Sequence, residues 1–171
     1  PTVIAQHMPA SFTAGFAERL NRLCAPTVEE ASEGALLQPG HIYIAPGARH
    51  LEVALMAGVL RCRLRPEDFI EGPKPSVDVL MSSVAAAVGA KSVGVILTGM
   101  GRDGAQGLLH MHETGARTFA QNQASSVIYG MPRAAVEAGG VQRELPLEQV
   151  AIEVLKLCNA ERGRLSHARG R

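Results

Sequence analysis

One histidine and one aspartate carry most of the chemistry that this sequence offers. His7 ends a short β-branched run, "PTVIAQHMP", and Asp103 stands in "LTGMGRDGA", residues 97–105, a glycine-rich corner behind a second apolar run. An aspartate that holds one imidazole nitrogen fixes the tautomer and leaves the other nitrogen to accept a proton, which is the acid–base half of an acyl-transfer site. Glycines are needed only where backbone turns tightly or approaches something closely, so a corner of this composition reads as a site. The backbone amides of Met100 and Gly101 precede a helix, where partial positive charge gathers, and are suited to an oxyanion. Both side chains also have plain structural uses: a strand-end histidine is often a hydrogen-bonded support, and an aspartate after a strand often caps the next helix.

Other chemistries fit less well. "GMGRDG" lacks the Lys-Ser/Thr ending of a P-loop and the spacing of a dinucleotide fingerprint, so phosphate binding is the weaker reading. His110 and His112 lie two apart on a predicted helix and point in different directions, while His41 and His50 have no partnering cysteines. No metal and no organic cofactor is expected. Cys24, Cys62 and Cys158 are far apart and odd in number, and read as free thiols.

The elements that must position His7 and Asp103 follow from composition and periodicity. A chain of 171 residues fits one domain, and 46% hydrophobic with 19% charged residues excludes disorder. Its apolar runs are too short to span a membrane, a formal net charge of +1 argues against a general nucleic-acid binder, and the lack of an export leader makes the cytoplasm the expected location. The opening strand leads into "SFTAGFAERLNRLC", with Phe12, Phe16, Leu20 and Leu23 at helical spacing and Ser11 as the expected N-cap. Residues 27–62 are broken at Pro39-Gly40, Pro46-Gly47 and Gly58, which predicts turns between antiparallel strands. Val77, Leu80, Met81, Val84 and Val88 then form one helical stripe behind the cap Ser76.

From Ser92 onward, strands "SVGVILTG" and "ARTFAQN" alternate with helices "GAQGLLHMHETG" and "PRAAVEAG", and a last helix runs from about Leu147 to Ala160. The fold class is α/β: a doubly wound, mostly parallel sheet with helices on both faces and an antiparallel hairpin insert. Residues 1–160 form the expected domain, followed by a basic tail over 161–171. Ligands of parallel sheets bind outside the carboxyl ends of the strands, and both His7 and Asp103 fall there.

The segments "VIAQHMPASFTAGFAERLN", "GHIYIAPGARHLEV", "KPSVDVLMSSVA", "GVILTGMGRDGAQGL" and "AQNQASSVIYGMPRAAVEAG" resemble, in order, the catalytic domain of the chemotaxis protein-glutamate methylesterase family, CheB. The resemblance runs from Pro1 to Leu157. It implies hydrolysis of glutamate γ-methyl esters, and deamidation of glutamines, on the cytoplasmic helices of chemoreceptors. It makes His7 the general base, Asp103 its orienting carboxylate and the Met100 amide the oxyanion donor. Arg102, Tyr129 and Met131, in the same segments, are candidates for the substrate groove, although an exposed loop arginine and a loop entering a helix at Pro132 need no such role.

The family's nucleophile, a serine in a G-A-S-T-G-G turn upstream of the histidine, has no counterpart in this sequence. Ser11, Ser125 and Ser126 are poor substitutes, the first as a helix cap and the others as loop residues. The expectation is a catalytic domain lacking its N-terminal strand and nucleophile turn, inactive without the upstream serine. Its expected partners are a methylated chemoreceptor cytoplasmic domain and a receiver domain in the full-length protein, with no nucleic acid and no membrane insertion. The alternative is a non-catalytic domain of the same fold that docks on receptors or other proteins.

Overall fold

The computed structural model describes residues 1–66 and 68–168, with side chains through residue 159. Strand β1 (Thr2–Ile4) leads through a turn into α1 (Ala10–Leu23), and β2 (Thr27–Glu30) and β3 (His41–Ile44) follow. A hairpin, β4 (Arg49–Met56) and β5 (Val59–Pro66), precedes α2 (Val77–Val88). The second half runs β6 (Val93–Ile96), α3 (Ala105–Glu113), β7 (Arg117–Gln121), α4 (Met131–Glu137), β8 (Arg143–Leu145) and α5 (Leu147–Ala168).

Two three-stranded parallel sheets, β1-β3-β2 and β6-β7-β8, carry the fold, and the β4-β5 pair is antiparallel. β3 displays the layering. Ile42 and Ile44 pack with Ala17, Phe16 and Leu20 of α1, whereas Tyr43 and Ala45 pack with Leu80 of α2 and with Leu51, Val53 and Cys62 of the hairpin. Alternate residues of a strand face opposite ways, so α1 and α2 lie on opposite faces. On the α2 face, Ile96 of β6 and Ala120 of β7 are covered by Val77, Met81, Leu108, Met111 and Ala134. Burying a side chain such as Leu108, which is fully enclosed, contributes roughly 1.5–3 kcal/mol.

Several expectations change. The expected run of antiparallel strands over 27–62 reduces to the β4-β5 hairpin, because β2 and β3 both run parallel to each other in the first sheet. Proline and glycine mark where a chain turns but not which free edge it then joins. The link between β2 and β3 crosses over and lies along β5, with bonds from Gly34 N to Cys62 O and from Leu37 N to Leu60 O. Ser11 is not the cap of α1: the helix begins at Ala10 behind Pro9, whose extended ψ of 148° ends the preceding turn without a side-chain bond. Strand β8, too short to read from periodicity, pairs with β7. The last helix continues past Ala160 to Ala168, so most of the expected tail is helical, and 169–171 lie outside the described residues.

Candidate active site

His7 follows β1 and Asp103 follows β6, at the carboxyl ends of strands in different sheets. The fold brings them together across 96 positions of sequence, with His7 Nε2 2.7 Å from Asp103 Oδ2. His7 is partly open, its side chain 30% exposed, while the Asp103 side chain is 5% exposed. The turn that holds His7 is braced from below by Gly47. A Cβ there would lie 2.6 Å from Ala10 N and 2.7 Å from the Pro9 carbonyl carbon, so only glycine lets the two backbones touch.

The glycine corner works by a similar close approach. Gly104 has φ 92°, and a Cβ there would meet Val77 Cγ1 at 2.7 Å. Asp103 is thereby seated on the first turn of α2. Its Oδ2 accepts from Val77 N at 2.7 Å, and its Oδ1 accepts from Asp78 N and Ser76 Oγ, both at 3.0 Å. Burial alone would push the Asp103 carboxyl up, but the bonds from His7, the two amides and Ser76 outweigh it and hold it below the ordinary carboxylate range. Ser76 does cap α2, accepting from Val79 N at 3.3 Å. Its bond to Asp103 is a second use that capping statistics do not suggest.

The loop after β6 is clamped from the β7 side. Gln121, fully buried, accepts from Thr98 N at 2.8 Å and donates to Ser125 O at 2.7 Å. Gly99 N donates to Ile128 O, and Met131 N donates to Gly99 O. Met100 itself is 80% exposed, and among the described residues no acceptor is bonded to its amide. Gln121 and Thr98 escaped sequence reasoning because a glutamine at a strand end carries no local signal of its long-range partner.

The remaining candidates divide. Arg102 is exposed beside Asp103 and borders a cleft of about 360 Å3 that also includes Ser76, Asp78 and Glu71. Tyr129 is partly exposed and donates to Glu144 at 2.6 Å, which together with some burial pushes its hydroxyl up to about 12. Met131 is not a wall of an open groove: it is 8% exposed and packs in the core beneath Gly99. A larger groove of about 730 Å3 between β4 and α2 includes neither His7 nor Asp103.

Ser125 and Ser126 donate to the Asn122 side chain and backbone, both at 2.8 Å. Among the described residues no hydroxyl or thiol is bonded to His7. His110 bonds Ser82 and His41 lies 3.5 Å from Glu29. Cys24 and Cys158 are exposed thiols and Cys62 is buried, where burial first and the nearby glutamates second push it up to about 11.

Known proteins resemble this chain over most of its length. The family model described as CheB methylesterase matches residues 1–154. A protein of Caulobacter vibrioides called protein-glutamate methylesterase/protein-glutamine glutaminase 1 is 60% identical over 163 residues, covering 95% of this chain and 47% of that protein. A similarly named protein of Agrobacterium fabrum is 58% identical over 163 residues, with 95% and 46% covered. The chain therefore spans about half the length of these relatives. The crystal structure of the Thermotoga maritima CheB methylesterase catalytic domain superposes with a TM-score of 0.87 at 35% identity, over 92% of this chain and 83% of that one. With a model covering nearly all of the chain and a solved relative alike in both sequence and fold, this chain belongs to the CheB methylesterase family.

Proposed function

We propose that the chain is most of the catalytic domain of a protein-glutamate methylesterase, which hydrolyses glutamate γ-methyl esters and deamidates glutamines on chemoreceptor cytoplasmic helices. The observation that carries this reading is the 2.7 Å bond between His7 Nε2 and Asp103 Oδ2. Because ionised Asp103 can only accept, Nε2 carries the proton and Nδ1 is left as the base. Asp103 has the positioning role and does not take the proton.

The nucleophile in this reading is a serine from a segment that precedes residue 1 in the complete protein. Its Oγ attacks the ester carbonyl while its proton passes to His7 Nδ1, and the tetrahedral oxyanion faces the Met100 amide. Collapse breaks the ester C–O bond, and the departing methoxide takes the proton from His7 to leave as methanol. Water then attacks the acyl-enzyme, giving its proton to His7, which returns it to the serine as glutamate is freed. Ammonia replaces methanol when the substrate is glutamine.

The sheet topology supports an upstream strand. β1 pairs only with β3 and β6 only with β7 among the described residues, so each keeps a free edge, and their carboxyl ends converge on His7 and Asp103. A parallel strand between them would deliver its following turn to that point. A right-handed crossover back to β1 would lay its helix on the face that carries α1. Arg102 and Tyr129 border the proposed substrate groove, with Met131 supporting it from the core. The receptor substrate, a receiver domain within the remaining half of the full-length protein and a cytoplasmic setting belong to the same reading. No helix among the described residues is long and apolar enough to cross a membrane.

Methanol release from a methylated receptor fragment tests the assignment. Activity is expected in the complete protein, absent from the 171-residue chain alone, and reduced by about 10⁶ when the upstream serine is removed. His7→Ala should abolish it. A complete, folded protein that binds the receptor without releasing methanol would instead support the docking domain.

A further inference from the structure

Among the described residues no hydrogen bond joins the hairpin β4-β5 directly to His7 or Asp103, yet one of its residues is linked to both. His50, on β4, is fully buried, and its Nδ1 accepts from Ser76 N at 3.0 Å. Ser76 Oγ in turn donates to Asp103 Oδ1 at 3.0 Å, and Asp103 Oδ2 receives His7 Nε2 at 2.7 Å. Ser76 is itself 1% exposed, so water cannot substitute freely for either bond.

We infer that His50 is a positioning residue of the active site: through the Ser76 amide it fixes the first turn of α2, and that turn fixes Asp103 against His7. The inference rests on the assignment of His7 and Asp103 as the working pair. Three of the four donors to Asp103 come from Ser76, Val77 and Asp78, consecutive residues at the start of α2. The carboxylate therefore follows that turn more closely than it follows its own glycine-flanked loop. The residue just before Ser76 offers no amide to anchor the turn, because Pro75 has no N–H. The Ser76 amide is the first donor of the segment, and an unprotonated ring nitrogen on a strand is the group that receives it. A neutral His50 with its proton on Nε2 meets that requirement.

An aliphatic residue at position 50 would fill the same volume and leave the Ser76 amide buried without an acceptor. Asparagine would place an oxygen close to where Nδ1 stands. The two substitutions therefore separate core packing from positioning.

The test is proton and carbon NMR of the complete protein, with the low-field His7 Nε2 proton assigned by its loss in His7→Gln. His50→Asn should keep that proton and the parent titration midpoint of the Asp103 carboxyl carbon. His50→Leu should lose the proton to exchange and raise the midpoint by about half a pH unit or more, as a weakened set of donors requires. In the complete protein, His50→Leu should lower kcat by about tenfold with KM changed less than about twofold.

A folded His50→Leu variant that retains both NMR signatures would overturn the inference. Where that variant does not fold, His50→Gln, whose amide reaches toward the Nε2 position and leaves the Ser76 amide without its acceptor, takes its place: loss of the low-field proton beside its retention in His50→Asn supports the link, and an unchanged proton overturns it. Failure of the esterase assignment appears separately, as a complete protein with His50 intact that releases no methanol.

Discussion

Asp78 and Asp103 each accept hydrogen bonds from the start of the other's helix. Asp103, just before α3, accepts from Val77 N and Asp78 N in the first turn of α2, while Asp78 accepts from Gly107 N in the first turn of α3 at 2.7 Å. Amides left unpaired at both helix starts are satisfied by side chains, and the exchange locks α2 to α3. The two carboxyls are nevertheless shifted in opposite directions from the ordinary carboxylate range. Asp103 is held low by its donors despite burial. Asp78 is pushed up, first by burial and further by the charge of Asp103, against the bonds from Gly107, Gly104 and Gln106.

The lowered Asp103 carboxyl ties stability to pH. A group whose folded value is depressed contributes stability that is present above its unfolded value, about 3.9, and lost as pH falls through the folded value. Asp103→Asn should cost about 2–3 kcal/mol near neutrality, as for removal of a charged hydrogen-bond partner. The gap to the parent should close in acid. Urea unfolding from pH 7 to pH 3 measures it, and kcat in the complete protein should fall by about 10⁴ as the tautomer is lost.

Asp78→Asn should behave in the opposite way. A raised carboxyl contributes stability fully present below its unfolded value and lost as pH rises through its folded value. Asparagine keeps an oxygen for Gly107 N and removes the half-buried charge. The variant should be more stable than the parent at pH 7 by about 0.5–1 kcal/mol, after allowance for partial exposure. The difference should vanish below about pH 4, where the parent is also neutral. A variant less stable than the parent at pH 7 would contradict this.

Gly47→Ala tests the brace under the histidine. The added Cβ would press on the Pro9–Ala10 backbone, which has no flexible tip to yield. Overpacking of this kind costs about 1–3 kcal/mol, visible as a lower Tm. Because the displaced backbone carries His7, kcat in the complete protein should fall by about 10²-fold with the substrate still bound.

Tyr129→Phe separates groove from scaffold. The hydroxyl bonds Glu144 on an open part of the surface, so its loss should cost less than about 1 kcal/mol. Absorbance titration should lose the phenolate step near 12 assigned to Tyr129. A rise of severalfold in KM, about 1 kcal/mol of lost contact, with kcat retained would place Tyr129 against substrate. An unchanged KM would remove it from the groove.

Local pattern alone determined a good part of this molecule. Alternating strand and helix signals after Ser92, the Ser76 cap and the positions of His7 and Asp103 at strand ends were all legible, because periodicity, capping and turn chemistry act within a few residues. The direction of β2 and β3 was not, since Pro39-Gly40 marks a turn whichever edge the chain joins afterwards. Met131 read as a groove residue from its place in the motif, and only packing beneath Gly99 puts it in the core. Ser76 revealed its cap and hid its bond to Asp103, 27 positions away. Of the fully buried pair His50 and Gln121, the first read only as a histidine without cysteine partners and the second carried no signal. A buried polar side chain is defined by the partner that satisfies it, and when that partner lies in another element, the tertiary structure alone decides which of its atoms become part of the site.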